Sequence, residues 1–283
     1  MYNISVLRSS PFVVILFESN IRSNVQEMNP LTKILFEFQG IGNLIFRMLK
    51  GLRKQPRYFA EIINQLDHIG VGSLGIVILT GFFTGGVLIL QAYPTLEYYG
   101  AQSNAGQGVA TTLIRELGPV LTALMVAGRV GSSISAELGS MVVSQQIDAM
   151  RALGTSPVRK LVTPRIIALV IALPLLTVAC DMFGLFGGGI IAQQIYGLDT
   201  HTYISSVRAG VDIEDLIGGI IKPLTFGFII GIISCYKGLN TTGGTVGVGR
   251  STTNAVVSAS INVIVADFFI SKMLQGLFSS TLF

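Results

Sequence analysis

Charge is scarce in this sequence. Asp, Glu, Lys and Arg together make up 12% of its 283 residues, against about 25% in a typical soluble domain. Half of the residues are hydrophobic and the mean hydropathy is +0.66. A soluble globular domain is therefore excluded, and a multi-span membrane protein with at most one small polar appendage remains. Cysteine is almost absent. Cys180 and Cys235 both lie within apolar runs, so neither a disulfide framework nor a metal site is implied. The two histidines, His68 and His201, are isolated at the edges of apolar runs and read as interfacial residues rather than ligands. A complete nucleotide-binding signature is also missing. The run from Gly244 to Ser251 imitates a phosphate-binding loop, but it carries Arg250 where that loop needs Lys. It also lacks the preceding buried strand of a soluble domain. A flexible turn between two apolar runs is expected there, no cofactor is called for, and hydrolysis by this chain itself is not expected. The pI near 9.1 is no sign of nucleic acid, because the basic residues sit beside apolar runs, where they set membrane orientation.

Five runs are long enough to cross a bilayer, which takes about 20 residues at 1.5 Å per residue for a core about 30 Å thick. They are Ile69–Ala92, Val109–Val143, Ile166–Ile195, Leu216–Tyr236 and Ala255–Leu274. The second is longer than a crossing needs, so it tilts, bends near Pro119 or protrudes. Pro174 predicts a kink in the third. Glycine is abundant, at 33 residues. The pairs Gly81/Gly85, Gly184/Gly188 and Gly227/Gly231 have the small-xxx-small spacing of closely packed membrane helices, either within the fold or along a dimer seam.

Before the first run, Ile34, Leu35, Phe38, Ile41, Leu44, Ile45, Met48 and Leu49 recur at helical spacing, interspersed with Lys33, Arg47, Lys50 and Arg53. That is the pattern of a basic amphipathic helix lying in the interface. The predicted fold class is an all-α polytopic membrane protein with five transmembrane helices preceded by an N-terminal amphipathic interfacial helix. Its expected organisation is a leader over residues 1–27, with Met28 as an alternative start, an interfacial region over 28–68 and the five-span domain over 69–283. Arg47, Lys50, Arg53, Lys54 and Arg57 precede the first run, and the link after it, 93–108, has no Lys or Arg. Arg151, Arg159, Lys160 and Arg165 follow the second run, acids outnumber Arg208 after the third, and Lys237 and Arg250 follow the fourth. The alternation puts the N-terminus in the cytoplasm and the C-terminus outside it.

The second run carries Arg115, Glu116, Arg129 and Glu137. A charge at membrane depth costs roughly 2.5–3.5 kcal/mol on insertion scales, so such residues face a bundle interior or a cavity. They serve either as structural pairs or as the polar lining of a headgroup site or gate. Asp181 and Asp267 are candidate partners for Arg129 in an intramembrane polar network with Glu137, and Lys222 is a candidate partner for an acid near the outer face. The link after this run places Val143, Ile147, Met150, Ala152 and Leu153 on one face of a short helix, with Gln145, Gln146, Asp148 and Arg151 toward the other, and Gly154 ends it. Such a helix is either a knob for a partner's groove or a membrane-surface helix.

RELGPVLTALMVAGRVGSSISAELGSM, followed by QQIDAMRALGTSPVRKLVTPR, resembles the MlaE/YrbE-type permease family of ABC lipid transporters. The later GVGRSTTNAVVSASINVIVADFF resembles that family's last cytoplasmic loop and final span. The likeness runs from about Leu31 to the C-terminus, and residues 1–27 match nothing in the family. It implies a permease subunit, not an enzyme, that moves phospholipid or related lipid between membranes. The implied partners are a second copy of the chain, a cytoplasmic ABC ATPase and an outward-facing MCE-domain substrate-binding protein, with no nucleic acid. The implied location is the inner membrane of a bacterium or a membrane of a bacterially derived organelle. By the same resemblance, the segment 144–154, with Gln146, Ile147, Asp148, Met150, Arg151, Leu153 and Gly154, is the coupling helix, and Arg115 and Glu116 lie near a lipid cavity. Asn254 departs from the pattern, since some relatives have a second basic residue there. The runner-up from another class is an ion-coupled secondary transporter relaying protons through Glu137, Asp181 or Asp267. Five spans without an inverted repeat argue against it.

The topology is testable by thiol labelling. Cysteines introduced at Asn104 and Ser280 should label from outside sealed cells, and one at Ser156 only after permeabilisation. Equal labelling of Ser156 and Asn104 in sealed cells would contradict the five-span arrangement.

Overall fold

The computed structural model describes residues 30–52 and 58–279. The expected leader, Met28, Arg53, Lys54, Arg57 and Ser280 lie outside the described residues, as do the side chains of Lys33 and Ile34. Among the described residues every regular element is a helix. In chain order they are α1 (Pro30–Leu52), α2 (Phe59–Tyr98), α3 (Gln102–Val143), α4 (Gln146–Ala152), α5 (Val158–Tyr196), α6 (Thr200–Ala209), α7 (Ile213–Leu239) and α8 (Gly244–Ser279). Five of them, α2, α3, α5, α7 and α8, are long and apolar enough to cross a membrane.

The chain divides into a unit up to Phe46 and a unit from Arg47 onward. In the first, Leu35, Phe38 and Phe46 are exposed apolar side chains, as expected of a helix that lies against lipid.

In the second unit the spans run past the bounds expected from hydropathy. The first begins at Phe59 because Phe59–Leu66 continues through a π-helical turn, Asp67–Val71, into Gly72–Tyr98. The second is 42 residues long, about 63 Å at 1.5 Å per residue, so its ends project beyond any bilayer core. It does not break at Pro119. A π-turn, Leu113–Leu117, stands immediately before the proline, and a second, Ala127–Gly131, lies further along. Such turns absorb an extra residue and concentrate at functional sites. Gly244–Ser251 is a correction to the expected flexible turn, since it forms the first turns of α8. Glycine disfavours helix, but the Ser251 hydroxyl donates to the Lys237 carbonyl at 3.2 Å and accepts from the Thr241 hydroxyl at 2.9 Å, tying this end of α8 to the end of α7. The short α6 was not expected from the sequence. Asp199 caps it by accepting from the Thr202 amide, and its Tyr203 is buried, donates to the Leu185 carbonyl at 3.1 Å and has its phenol pKa pushed up to about 12 by burial.

The spans pack through glycine. α5 lies chiefly against α2 and α7. A Cβ on Gly81 would strike the backbone of Cys180, one on Gly85 the backbone of Gly184, and one on Gly227 the backbone at Leu169. The small-xxx-small pairs are thus used inside one chain, where they bring two backbones together. Pro94 cannot donate to the carbonyl of Leu90, and the Tyr196 hydroxyl of α5 does so instead, at 3.3 Å. Tyr196 also stacks on Tyr93, with ring centroids 4.0 Å apart.

Gly85→Val should lower the unfolding temperature and yield in detergent, with a cost of about 3 kcal/mol for overpacking against backbone. Gly75→Ala, on the same helix with nothing within 4 Å of its Cβ position, should be neutral or stabilising by up to about 1 kcal/mol. The reverse order in a thermal melt would contradict the α2–α5 contact.

Candidate functional site

The charges in the spans gather in two tiers. One tier centres on Lys222, whose side chain is 1% exposed. Its ammonium donates to the Glu116 carboxylate at 2.6 Å and to the Arg115 carbonyl at 2.8 Å. Asp267 Oδ1 of α8 lies 3.1 Å away, close enough for an ion pair but without hydrogen-bond alignment. The Arg115 carbonyl is available for a local reason. An α-helix would offer it the amide of residue 119, which is proline and has no N–H. Ser271 of α8 adds a hydroxyl 3.3 Å from both Glu116 oxygens. Three spans, α3, α7 and α8, are thus joined at one point.

Beside this knot, Asp215 in the first turn of α7 accepts from Arg115 Nε at 2.6 Å and lies 2.5 Å from its Nη2. Asp215 is buried, whereas the Arg115 side chain is 53% exposed and that of Glu116 42%. Arg115 and Glu116 therefore take separate partners and do not pair with each other. A few residues further along α3, Leu117 and Leu121 line a groove with Leu79, Phe83, Val87 and Leu88 of α2. It measures about 560 Å³ and is almost wholly apolar, with Thr80 and Thr84 as its polar members.

The other tier lies 21 residues along α3 from Glu116, about 31 Å at 1.5 Å per residue, close to a hydrocarbon core's thickness. There Glu137 pairs with buried Arg165 of α5 at 2.7 Å and accepts from Ser133 at 3.1 Å. Arg129 lies between the tiers and donates to the buried Ser73 hydroxyl of α2 at 2.7 Å. Arg129, Glu137, Asp181 and Asp267 do not come together as one network. Helical rise separates them: Asp267 is level with Glu116, about 20 Å from Arg129, and Asp181 is buried against Gly118 with Oδ1 lacking a hydrogen-bond partner.

The link helix α4 spans Gln146–Ala152, after Gln145 in a left-handed conformation (φ 59°). The expected apolar face divides. Ile147 is buried and Met150 half-buried, while Leu153 is 82% exposed. Two turns are too short to carry the whole stripe, since Val143 ends α3 and Leu153 lies beyond the last helical residue. Asp148 and Arg151 form an exposed pair at 3.1 Å, and Gly154 (φ 74°) closes the turn.

Sequence reasoning missed Asp215, Ser271, Ser73 and the pairing role of Arg165. By sequence alone Arg165 reads as a basic link charge and Asp215 as one of the acids in the link after the third run. Pro119, four residues after Arg115, was the available signal for a freed carbonyl.

Residues 62–273 match the profile of the family Permease MlaE. The chain is 41% identical over 240 residues to a probable ABC transporter permease protein of Rickettsia typhi, covering 85% of this chain and 90% of that protein. It is 34% identical over 236 residues to the intermembrane phospholipid transport system permease protein MlaE of Haemophilus influenzae, covering 83% and 90%. It is 38% identical over 231 residues to the chloroplastic protein TRIGALACTOSYLDIACYLGLYCEROL 1 of Arabidopsis thaliana, covering 82% and 65%.

Lys222→Met should destabilise the protein by about 3–5 kcal/mol, the cost of leaving buried charge without its partner. Adding Glu116→Gln and Asp267→Asn should recover most of that loss. Unfolding in mixed micelles checks both. A triple variant no more stable than Lys222→Met would show that the carboxylates are not what Lys222 neutralises.

Proposed function

The chain belongs to the MlaE permease family, and on that premise we propose that it is the permease subunit of an ABC transporter moving phospholipid or a related lipid between membranes. One observation carries the reading beyond membership. A half-exposed guanidinium, fixed by a buried carboxylate, stands on the same helix as an apolar groove. A lipid has those two needs, a polar contact for the headgroup and an apolar wall for the acyl chain. Arg115 would grip a phosphate through paired N–H donors. Asp215 already orients the guanidinium, so less freedom is lost on binding. The apolar faces of α2, α3 and α8 would wall the cavity across a two-fold axis with a second copy.

The same reading assigns ATP hydrolysis to a separate cytoplasmic subunit and makes α4 the coupling helix. The apolar contact on that loop would be Leu153, because Ile147 is engaged within the fold. An MCE-domain protein would meet the opposite side. The N-terminus would lie in the cytoplasm, and the membrane would be the inner membrane of a bacterium or that of a bacterially derived organelle. The alternation of basic links supports this orientation.

The test is ATP-dependent lipid transfer between liposomes by the chain reconstituted with its copurifying ATPase. Transfer should survive a proton ionophore. Arg115→Lys should assemble normally and cut transfer about tenfold, the scale of one charge-assisted hydrogen bond. Leu153→Glu should leave permease yield unchanged while abolishing ATPase copurification. Full transfer by Arg115→Lys would move the headgroup contact elsewhere, and unchanged copurification with Leu153→Glu would reject α4 as the docking helix.

A further inference from the structure

A second cleft lies at the far end of the spans, by the link helix. Four basic residues line it: Arg47 and Lys50 from the last turns of α1, Arg151 of α4 and Arg159 at the start of α5. Ser156 and Thr155 add hydroxyls, and no acidic residue is among the described residues that line it. Its volume is about 500 Å³, within the range of small-molecule sites. Close approach builds it, for a Cβ on Gly51 would come within 2.9 Å of the Arg159 side chain. Arg151 also pairs with Asp148, and Lys50 is an exposed member of the lining.

Two further features point to an anion. α5 starts in the cleft wall, with Pro157, Val158 and Arg159 lining it. The first amide of that turn to bond back is Lys160, to the Ser156 carbonyl at 3.2 Å. The leading amides of a long helix and its dipole therefore add to the side-chain charge. The cleft also lies at the end of a span. Leu239, the last residue of α7, lines it, and Leu49, between Arg47 and Lys50, is an exposed apolar side chain. Basic pockets at the ends of spans on the cytoplasmic side suit anionic headgroups.

We propose that this cleft binds the phosphate headgroup of an anionic lipid in the cytoplasmic leaflet, as a resident ligand distinct from the transported lipid. The inference rests on the cytoplasmic orientation proposed above, but its lipid-retention readout needs neither ATP nor partners. Because α1, α4 and α5 all contribute, the bound headgroup would tie the interfacial helix to the link that meets the ATPase.

The experiment places the full-length chain in nanodiscs of phosphatidylcholine with and without phosphatidylglycerol and counts retained phosphatidylglycerol by native mass spectrometry. Lys50→Gln/Arg159→Gln should retain about tenfold less than the parent, since each basic side chain near an anionic surface contributes several-fold. The charge-matched Lys160→Gln/Arg250→Gln should retain the parent's amount. Equal melting temperatures in pure phosphatidylcholine show that both variants fold. Should the double variant not fold, Lys50→Gln alone, at an exposed position, carries the test. Retention equal to that of the control variant overturns the proposal. So does displacement of the lipid by soluble glycerol 3-phosphate, which would make the ligand a free anion. Unchanged lipid retention together with lost ATPase copurification also overturns it, because the cleft would then receive an acidic segment of that subunit.

Discussion

One ammonium group joins three of the spans that carry intramembrane charge. Lys222 is buried among a carbonyl of α3, a carboxylate of α3 and a carboxylate of α8. None of these contacts would be worth much in water, where exposed ion pairs contribute about 0–1 kcal/mol. Away from water an unpaired member costs far more than the pair gains. The knot therefore specifies arrangement more than it adds stability. α3, α7 and α8 can each be displaced along their axes only by leaving a charge without a partner.

Proline makes that knot available. Pro119 withholds an amide from the Arg115 carbonyl, and Pro94 withholds one from Leu90. Each freed carbonyl is reached by a side chain from another span, Lys222 in one case and Tyr196 in the other. Helix defects thus become contacts between helices, as the absence of water in a bilayer demands. Glycine does the complementary work against α5, where Gly81 and Gly85 of α2 and Gly227 of α7 let backbones approach closely.

Much of the fold was legible in the sequence because hydropathy and span length are cumulative signals. All five spans and the basic helix before them follow from runs of 20 residues or more, where single exceptions do not matter. Bounds were less legible, since polar or glycine-rich flanks such as Phe59–Leu66 and Gly244–Ser251 are helical only by continuity with an apolar span or by tertiary bonds. Intramembrane charges such as Arg115, Glu116 and Lys222 could be picked out of the sequence, but their pairs and partners such as Asp215 and Ser271 could not. Which acid meets which base depends on the axial level and rotation of separate helices. Two π-turns in α3 shift that rotation without leaving any mark in hydropathy. Arg129 accordingly meets a serine of α2 rather than the acids that look available in the sequence.

Asp215 divides its two oxygens between two tasks. Oδ2 accepts from the Asp212 amide at 3.4 Å and completes the capping box of α7, while Oδ1 holds the Arg115 guanidinium. The first turn of a span and the aim of a cation on another span are thereby one mechanical part. Fraying of that turn swings the carboxylate and frees the guanidinium, and anything that pulls on the guanidinium loads the turn. Asparagine could still cap the helix but would forfeit the charge, so the position works as a latch with two bolts on a single plate.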